Sequence, residues 1–356
     1  MPPKVPSFGS QEYWDKRFTA DSNPFEWLEV PTVLDQYLVD ALSATSDANP
    51  QLLHIGCGTS LLSYHLRAHV KDPAQIHNLD YSEVAVEIGR KREVDIYKEH
   101  IVLGEGRGEH AGHGAILHDA EPEKLASSGG RVEEASEAQQ RASLAPEHSY
   151  MRWSAADLLD PFSILKACQP SSYSLIVDKS TCDSIACSDD LYVPLPYPVS
   201  TTTQNSASIA MKTESPEPIH PLHIMAVHLA LVAKPKARWI CLSYSLDRFP
   251  FLSKSPPKVP YGAETGTTAP STLPAEEEDP DDSDPEYDLD DIPENIIKGG
   301  FPNPSLLWKL AGKYPIEAPA AEPPSGHNAT ATIHRPKIWH FIYVLERTDV
   351  KLHIRN

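Results

Sequence analysis

The feature that most constrains this chain is a bend. The apolar run Leu52-Leu53-His54-Ile55 ends in Gly56-Cys57-Gly58, and a helix-like repeat through Leu61, Leu62 and Leu66 follows at once. A fully apolar strand that turns on glycines into an apolar-periodic helix is a unit of a parallel sheet, because parallel neighbours need a crossover between them. The unit recurs. Gln75 to Asp80 is a second strand, and Ser82 caps a helix carrying Val84, Val86 and Ile88. Met151-Arg152-Trp153, before Asp157, is a short third strand, and Tyr173 to Asp178 is the fourth and clearest. A helix from Leu222 to Val232 leads into a fifth, Arg238 to Tyr244, and Ile338 to Leu345 is a long final strand. This alternation predicts an α/β fold: a Rossmann-like, doubly wound sheet with helices on both faces and its ligand at the carboxyl ends of the strands.

Three stretches interrupt that frame. Residues 101–149 lack Phe, Trp and Tyr; residues 253–298 mix prolines with an acidic tract; residues 318–333 read APAAEPPSGHNATATI. Such compositions bury too little apolar surface to offset the entropy of ordering, so they are expected to be low-complexity, disordered insertions into a single domain. The excess of proline is regional in the same way, 23 of 34 lying between Pro194 and Pro336. Net charge is −19, from 31 basic and 50 acidic residues, which argues against a nucleic-acid-coating protein. Eleven of the acids fall between Glu276 and Asp291, so the remainder is an ordinary surface. No apolar run approaches the roughly 18 residues of a membrane span, and Met1-Pro2-Pro3-Lys4-Val5-Pro6 lacks the apolar core of a secretory signal. The five cysteines include no CxxC pair. A cytoplasmic monomer with reduced thiols is expected.

The chemistry is carried by spacing. Gly56 and Gly58 close the first strand where a backbone can approach a ligand, and Asp80 closes the second strand, where a carboxylate can accept both hydrogen bonds of a ribose diol. A nicotinamide-dinucleotide turn needs a third glycine near position 61, which is Leu61, and no Gly-Lys-Ser/Thr phosphate loop occurs. An adenosine ligand without phosphate fits better, and S-adenosyl-L-methionine is the common one.

The segments LLHIGCGTSLLSYHL, NLDYS, WSAADLLDPF and YSLIVDKSTCDSIAC resemble the class I, seven-stranded methyltransferases. Within them, Tyr13-Trp14-Asp15-Lys16-Arg17-Phe18, Phe25-Glu26-Trp27 and Asp178-Lys179-Ser180-Thr181-Cys182-Asp183 resemble the branch that methylates lysines of translation elongation factor 1-alpha. The resemblance covers residues 11–100 and 150–190 well and the remainder loosely. It implies a seven-stranded sheet with an antiparallel last strand, residues 1–50 as an amino-terminal lid and helix, and 51–252 with 299–350 as the methyltransferase domain. It further implies that Gly56 and Gly58 face the methionine part of the cofactor, Asp80 holds the ribose hydroxyls and Tyr81 packs beside the adenine. Asp157 and Leu158 would meet the adenine edge, Lys179 would approach through its backbone, and Trp14, Phe18 and Trp27 would close the lid. The partner implied is a protein substrate, elongation factor 1-alpha. This chain departs from the pattern at His54, where relatives carry an acid, at Phe18 for Tyr, and at Ser180 and Cys182 for Gly and Leu.

Plainer readings stand beside these. Trp14, Phe18 and Trp27 also suit the core face of a helix, and Lys179 suits a surface after a strand. His110, His113 and His118 sit in a Gly-rich segment without a scaffold for a metal, so no metal site is assigned there; His220, His223 and His228 read as surface or packing residues. The acidic tract is a solvated tail or a docking surface for a basic partner. Cys57 lacks the partners of a thiol nucleophile. A small-molecule methyltransferase and a catalytically silent binding protein on the same fold are the alternative functions.

Overall fold

The computed structural model describes residues 6–104, 149–201, 213–252, 292–318 and 337–355. His110, His113, His118, the tract Glu276–Asp291 and most of the three insertions lie outside the described residues.

Two helices precede the sheet, α1 (Gln11–Ala20) and α2 (Asp35–Ala44). The first crossover runs from β1 (Leu52–Ile55) through α3 (Leu62–His65), which tightens into a 3₁₀ turn over Leu66–His69, to β2 (Ile76–Asp80). Next come α4 (Glu83–Gly104), β3 (Arg152–Ala155), α5 (Pro161–Ala167) and β4 (Tyr173–Lys179). After α6 (Thr181–Ile185) lie the short strands β5 (Pro194–Leu195), β6 (Val199–Thr201) and β7 (Thr213–Glu214). The chain continues with α7 (Pro221–Val232), β8 (Ala233–Ser243), α8 (Glu294–Lys298), β9 (Trp308–Glu317), β10 (Trp339–Arg347) and β11 (Leu352–Ile354).

Seven strands form one sheet in the order β3-β2-β1-β4-β8-β10-β9. The first five pair in parallel, whereas β10 is antiparallel to both β8 and β9. The expected doubly wound sheet with an antiparallel last strand is therefore present. Side chains alternate between two apolar layers, as a pleat of period two requires. Leu53, Ile55, Ile176, Trp239 and Cys241 meet the layer of α5, α6 and α7. Leu52, Leu175, Val177, Ile240 and Leu242 meet α2, α3 and α4. Every residue of α7 is buried, which explains why its sequence is apolar all round rather than striped.

Strand β9 has no counterpart in the sequence reading. Gly312 and Pro315 interrupt its pattern, and both are tolerated because among the described residues β9 is the sheet edge, pairing with β10 alone. Two insertion boundaries also differ. Helix α4 continues through Gly104, and Glu294–Lys298, expected inside an insertion, forms α8 with Ile296 fully buried. Among the described residues no helix is long and apolar enough to cross a membrane.

Candidate cofactor cleft

The carboxyl ends of β1, β2 and β4 open into a cleft roofed by the amino-terminal segment. Its floor is the glycine bend. Gly56 and Gly58 take φ of +54° and +49°, and a Cβ on Gly56 would fall 2.2 Å from Thr181 Oγ1. Glycine is needed twice over here, for the left-handed backbone and for the close approach of α6. The bend is tied to the second strand by hydrogen bonds from Cys57 N–H to Leu79 O (2.9 Å) and from Gly58 N–H to Asp80 Oδ2 (2.8 Å).

Asp80 is the key group. It is 6% exposed, and its second oxygen accepts the Ser82 N–H at 2.9 Å. Burial pushes its pKa up to about 6, partly opposed by the backbone N–H donors, with Asp15 adding repulsion. A carboxylate offers about four acceptor positions, and the backbone N–H groups do not use all of them, so acceptor capacity remains for the hydroxyls of a diol. Helix α1 is docked on the same turn: Ser82 Oγ donates to Asp15 Oδ1 at 2.5 Å and Gln11 Nε2 to Tyr81 O at 2.6 Å. Tyr81 lines the cleft beside Asp80.

Asp157 and Leu158 line the cleft after β3. The exposed Asp157 accepts the Leu159 N–H on Oδ1 at 2.8 Å and donates its own N–H to Ser163 Oγ at 3.0 Å. Leu158 is buried, and its carbonyl accepts the Nδ1–H of His228 at 2.8 Å. Burial lowers the His228 pKa to about 4, so the imidazole is neutral; its Nε2 accepts from Tyr197 Oη at 2.7 Å. His228 is thus a packing residue, and not a surface one.

The roof is aromatic. Trp14 stacks on Phe18 with centroids 5.6 Å apart, Trp27 lies edge-on to Phe8 (5.3 Å) and Phe25 (5.6 Å), and all five rings line the cleft. Trp14 Nε1 donates to Phe8 O at 2.6 Å. Phe18 touches the bend itself, its Cζ 3.3 Å from where a Gly58 side chain would begin.

Lys179 does something that spacing did not reveal. Its side chain is only 3% exposed, and its three ammonium protons face Trp27 O (2.7 Å), Glu29 O (3.0 Å) and Glu26 Oε2 (2.8 Å). Desolvation lowers its pKa, against the pull of Glu26. Glu26 in turn accepts the Leu61 N–H at 2.6 Å and the Ser60 hydroxyl, just ahead of α3. One ion pair therefore pins the roof to both the fourth strand and the glycine bend. In the run Phe25-Glu26-Trp27 the sequence marks the tryptophan as a lid residue and leaves Glu26 without a role. The acid between two aromatics was the available signal.

His54 replaces the acid of the pattern without leaving the position idle. It is buried, its Nδ1 lies 3.0 Å from Ser63 Oγ and 3.1 Å from Asn78 Oδ1, and burial lowers its pKa to about 4. Ser180 has φ of +69°, which explains why glycine suits that place. The buried hydroxyls of Thr59 and Ser180, both lining the cleft, have no hydrogen-bond partner among the described residues. Orphaned polar atoms of this kind call for a ligand. The cleft accordingly fits an adenosyl amino acid: a diol acceptor in Asp80, a close-approach bend, unpaired hydroxyls and an aromatic roof.

No protein-family model matches the chain. A methyltransferase of Neurospora crassa, srdJ, is 35% identical over 96 residues, which are 27% of this chain and 40% of that protein. The chain thus spans about two fifths of the curated relative it matches. Solved structures with which it aligns include the N-methyltransferase NodS of Bradyrhizobium japonicum with S-adenosylhomocysteine (11% identity, TM-score 0.38, covering 96% of this chain and 99% of that one). Another is the magnesium protoporphyrin IX methyltransferase of Synechocystis (9% identity, TM-score 0.33, 98% and 87%). Strand order, the antiparallel β10 and the site of the cleft define the class of fold: a Rossmann-like, doubly wound sheet closed by an antiparallel strand, with its cleft at the carboxyl ends of the parallel strands.

Proposed function

We propose that the chain is an S-adenosyl-L-methionine-dependent methyltransferase whose acceptor is a protein lysine, with elongation factor 1-alpha as the substrate. The observation that carries the activity is Asp80, buried with no cation beside it among the described residues and with acceptor positions still open beneath the glycine bend. Bound there, the cofactor supplies an activated methyl group. The residues of the chain hold and shield it. Asp80 would accept the ribose hydroxyls, the Gly56–Gly58 backbone would lie against the amino-acid portion, and Asp157 would meet the adenine edge.

The lysine acceptor is supported by the aromatic mouth and by the motif resemblance. An ammonium has no lone pair, so the acceptor must arrive neutral, and an apolar opening favours that form. Aromatic faces also attract a sulfonium, worth ~0.5–2 kcal/mol by analogy with other cations. Alignment of nucleophile and methyl carbon is then the main contribution of the protein, about several kcal/mol. Tyr244 and Leu246, 50% and 57% exposed, follow β8 and offer a surface a protein substrate can cover.

The test is tritiated cofactor with the full chain, cell lysate and purified elongation factor 1-alpha. Label in that factor, recovered as methyl-lysine, supports the reading. Label confined to low-mass compounds overturns the acceptor but keeps the activity, and no label in either fraction overturns the activity.

A further inference from the structure

On the layer of α2 and α3, three side chains that no motif joins come together. Asp35 opens α2, His65 ends α3, and His69 closes the 3₁₀ turn that follows. The two histidines are four residues apart, so they share one face of the helical segment. Both Nε2 atoms point at the same oxygen, Asp35 Oδ1, at 2.5 and 3.1 Å. The imidazole centroids are 5.4 Å apart, and the three donor atoms all lie within 4.8 Å of one another. The side chains of Asp35, His65 and His69 are 43%, 24% and 12% exposed, sheltered enough to be held and open enough to admit an ion with its water.

We propose that Asp35, His65 and His69 form a binding site for a divalent first-row transition ion such as Zn²⁺, completed by water. Two imidazoles and one carboxylate select such ions over Mg²⁺ and Ca²⁺, which prefer oxygen. Metal–nitrogen distances of about 2.0–2.1 Å in a tetrahedron put donor atoms roughly 3.3 Å apart. The His69–Asp35 contact of 3.1 Å is already close to that spacing and the His65–Asp35 contact of 2.5 Å must open by roughly 0.8 Å, a movement within reach of a rotation of the half-exposed Asp35 carboxylate. The second potential cluster, Asp178, Cys182 and Cys241, is different in kind. All three are fully buried, burial pushes both thiols well up (Cys241 to about 12), and Cys182 Sγ–H already donates to Asp178, so it is a sealed hydrogen-bonded group.

The site has a structural consequence. It joins α2 to α3, whose start is held by Glu26 through Leu61 N–H, so an ion there ties the amino-terminal helices to the glycine bend from a second side. Thermal stability should rise on metal uptake.

The experiment uses the untagged, chelator-stripped full chain, with Co²⁺ followed by visible absorption and Zn²⁺ by calorimetry. One equivalent is expected, with d–d bands and a higher unfolding temperature. His65→Gln/His69→Gln should weaken Zn²⁺ binding by about 100-fold or more and abolish the bands and the thermal gain. His110→Gln/His113→Gln/His118→Gln should leave all three unchanged. Asp35→Asn, at a half-exposed position, serves as the variant if the double histidine change disturbs the circular dichroism spectrum, and should weaken binding in the same direction. Absence of uptake, uptake undiminished in the histidine and Asp35 variants, or uptake lost with the 110–118 histidines would each overturn the site.

Discussion

Two buried carboxylates at the carboxyl edge of the sheet are treated in opposite ways. Asp183 is 4% exposed and fully engaged: Ser243 Oγ–H at 2.5 Å and Arg248 Nε at 2.8 Å share one oxygen, and the Tyr244 N–H reaches the other at 3.3 Å. Asp80 is as deeply placed at 6% exposed, yet among the described residues it receives backbone N–H groups and no cation. A chain that supplies a guanidinium to one carboxylate and withholds it from the other has made the first a brace and the second a receptor. Burial alone does not separate them; the unspent acceptor capacity does.

The difference is sharpest under mutation. Asp183→Ala strands the Arg248 guanidinium, 9% exposed, and should destabilise the fold by about 3–5 kcal/mol, read as a lower midpoint in urea unfolding. Loss of under 1 kcal/mol there would erase the contrast. Glu26→Gln sits between the two, since it loosens the roof while Lys179 keeps its two carbonyl partners. It should cost about 2 kcal/mol and speed hydrogen exchange across residues 23–31. Unchanged exchange would show that the ion pair does not hold the roof.

Titration supplies a further way to break the comparison. The ordinary Asp value of 3.8 moves up to about 6 in Asp80, and Asp178 moves likewise through its own burial. The folded state then holds more protons than the unfolded one between about pH 4 and 6, so stability from these groups falls as pH rises through that window. Asp183 and Glu93 are raised by burial as well, so Asp80→Asn should flatten part of that decline in unfolding free energy measured from pH 4 to 7. Ligand hydrogen bonds favour the ionised form, so S-adenosylhomocysteine affinity should increase from pH 5 to 7 and then level off. The smallest effect is at Ser180, whose φ of +69° is costly for a residue with a Cβ. Ser180→Gly should stabilise by about 1 kcal/mol, or roughly 2–4 °C in the unfolding temperature.

What was legible in the sequence follows from how local each signal is. The glycine bend, the acid closing β2 and the run from Tyr173 to Asp178 are contiguous, and each announces its strand or turn without help from the rest of the chain. Strand β9 is not, because Gly312 and Pro315 break its pattern and only an edge position permits them. The roles of Lys179 and Glu26 were hidden for a related reason: their partners lie 152 residues back at Trp27 and 35 residues on at Leu61. The grouping of Asp35 with His65 and His69 likewise exists only once α2 packs on α3. The His228 link to Leu158 spans 70 residues, so a histidine on a wholly apolar helix gave no sign of which carbonyl it would meet.

The central claim is that Asp80 grips an adenosyl ligand through hydrogen bonds it does not need for folding. Calorimetric titration of S-adenosylhomocysteine into the full chain and into Asp80→Asn at pH 7.5 tests it most directly. The account predicts saturable one-site heat for the native chain and an affinity about 100-fold weaker in a variant that still unfolds cooperatively, since two charge-assisted hydrogen bonds are lost. Equal affinity in the two proteins, or no heat with the native one, would contradict it.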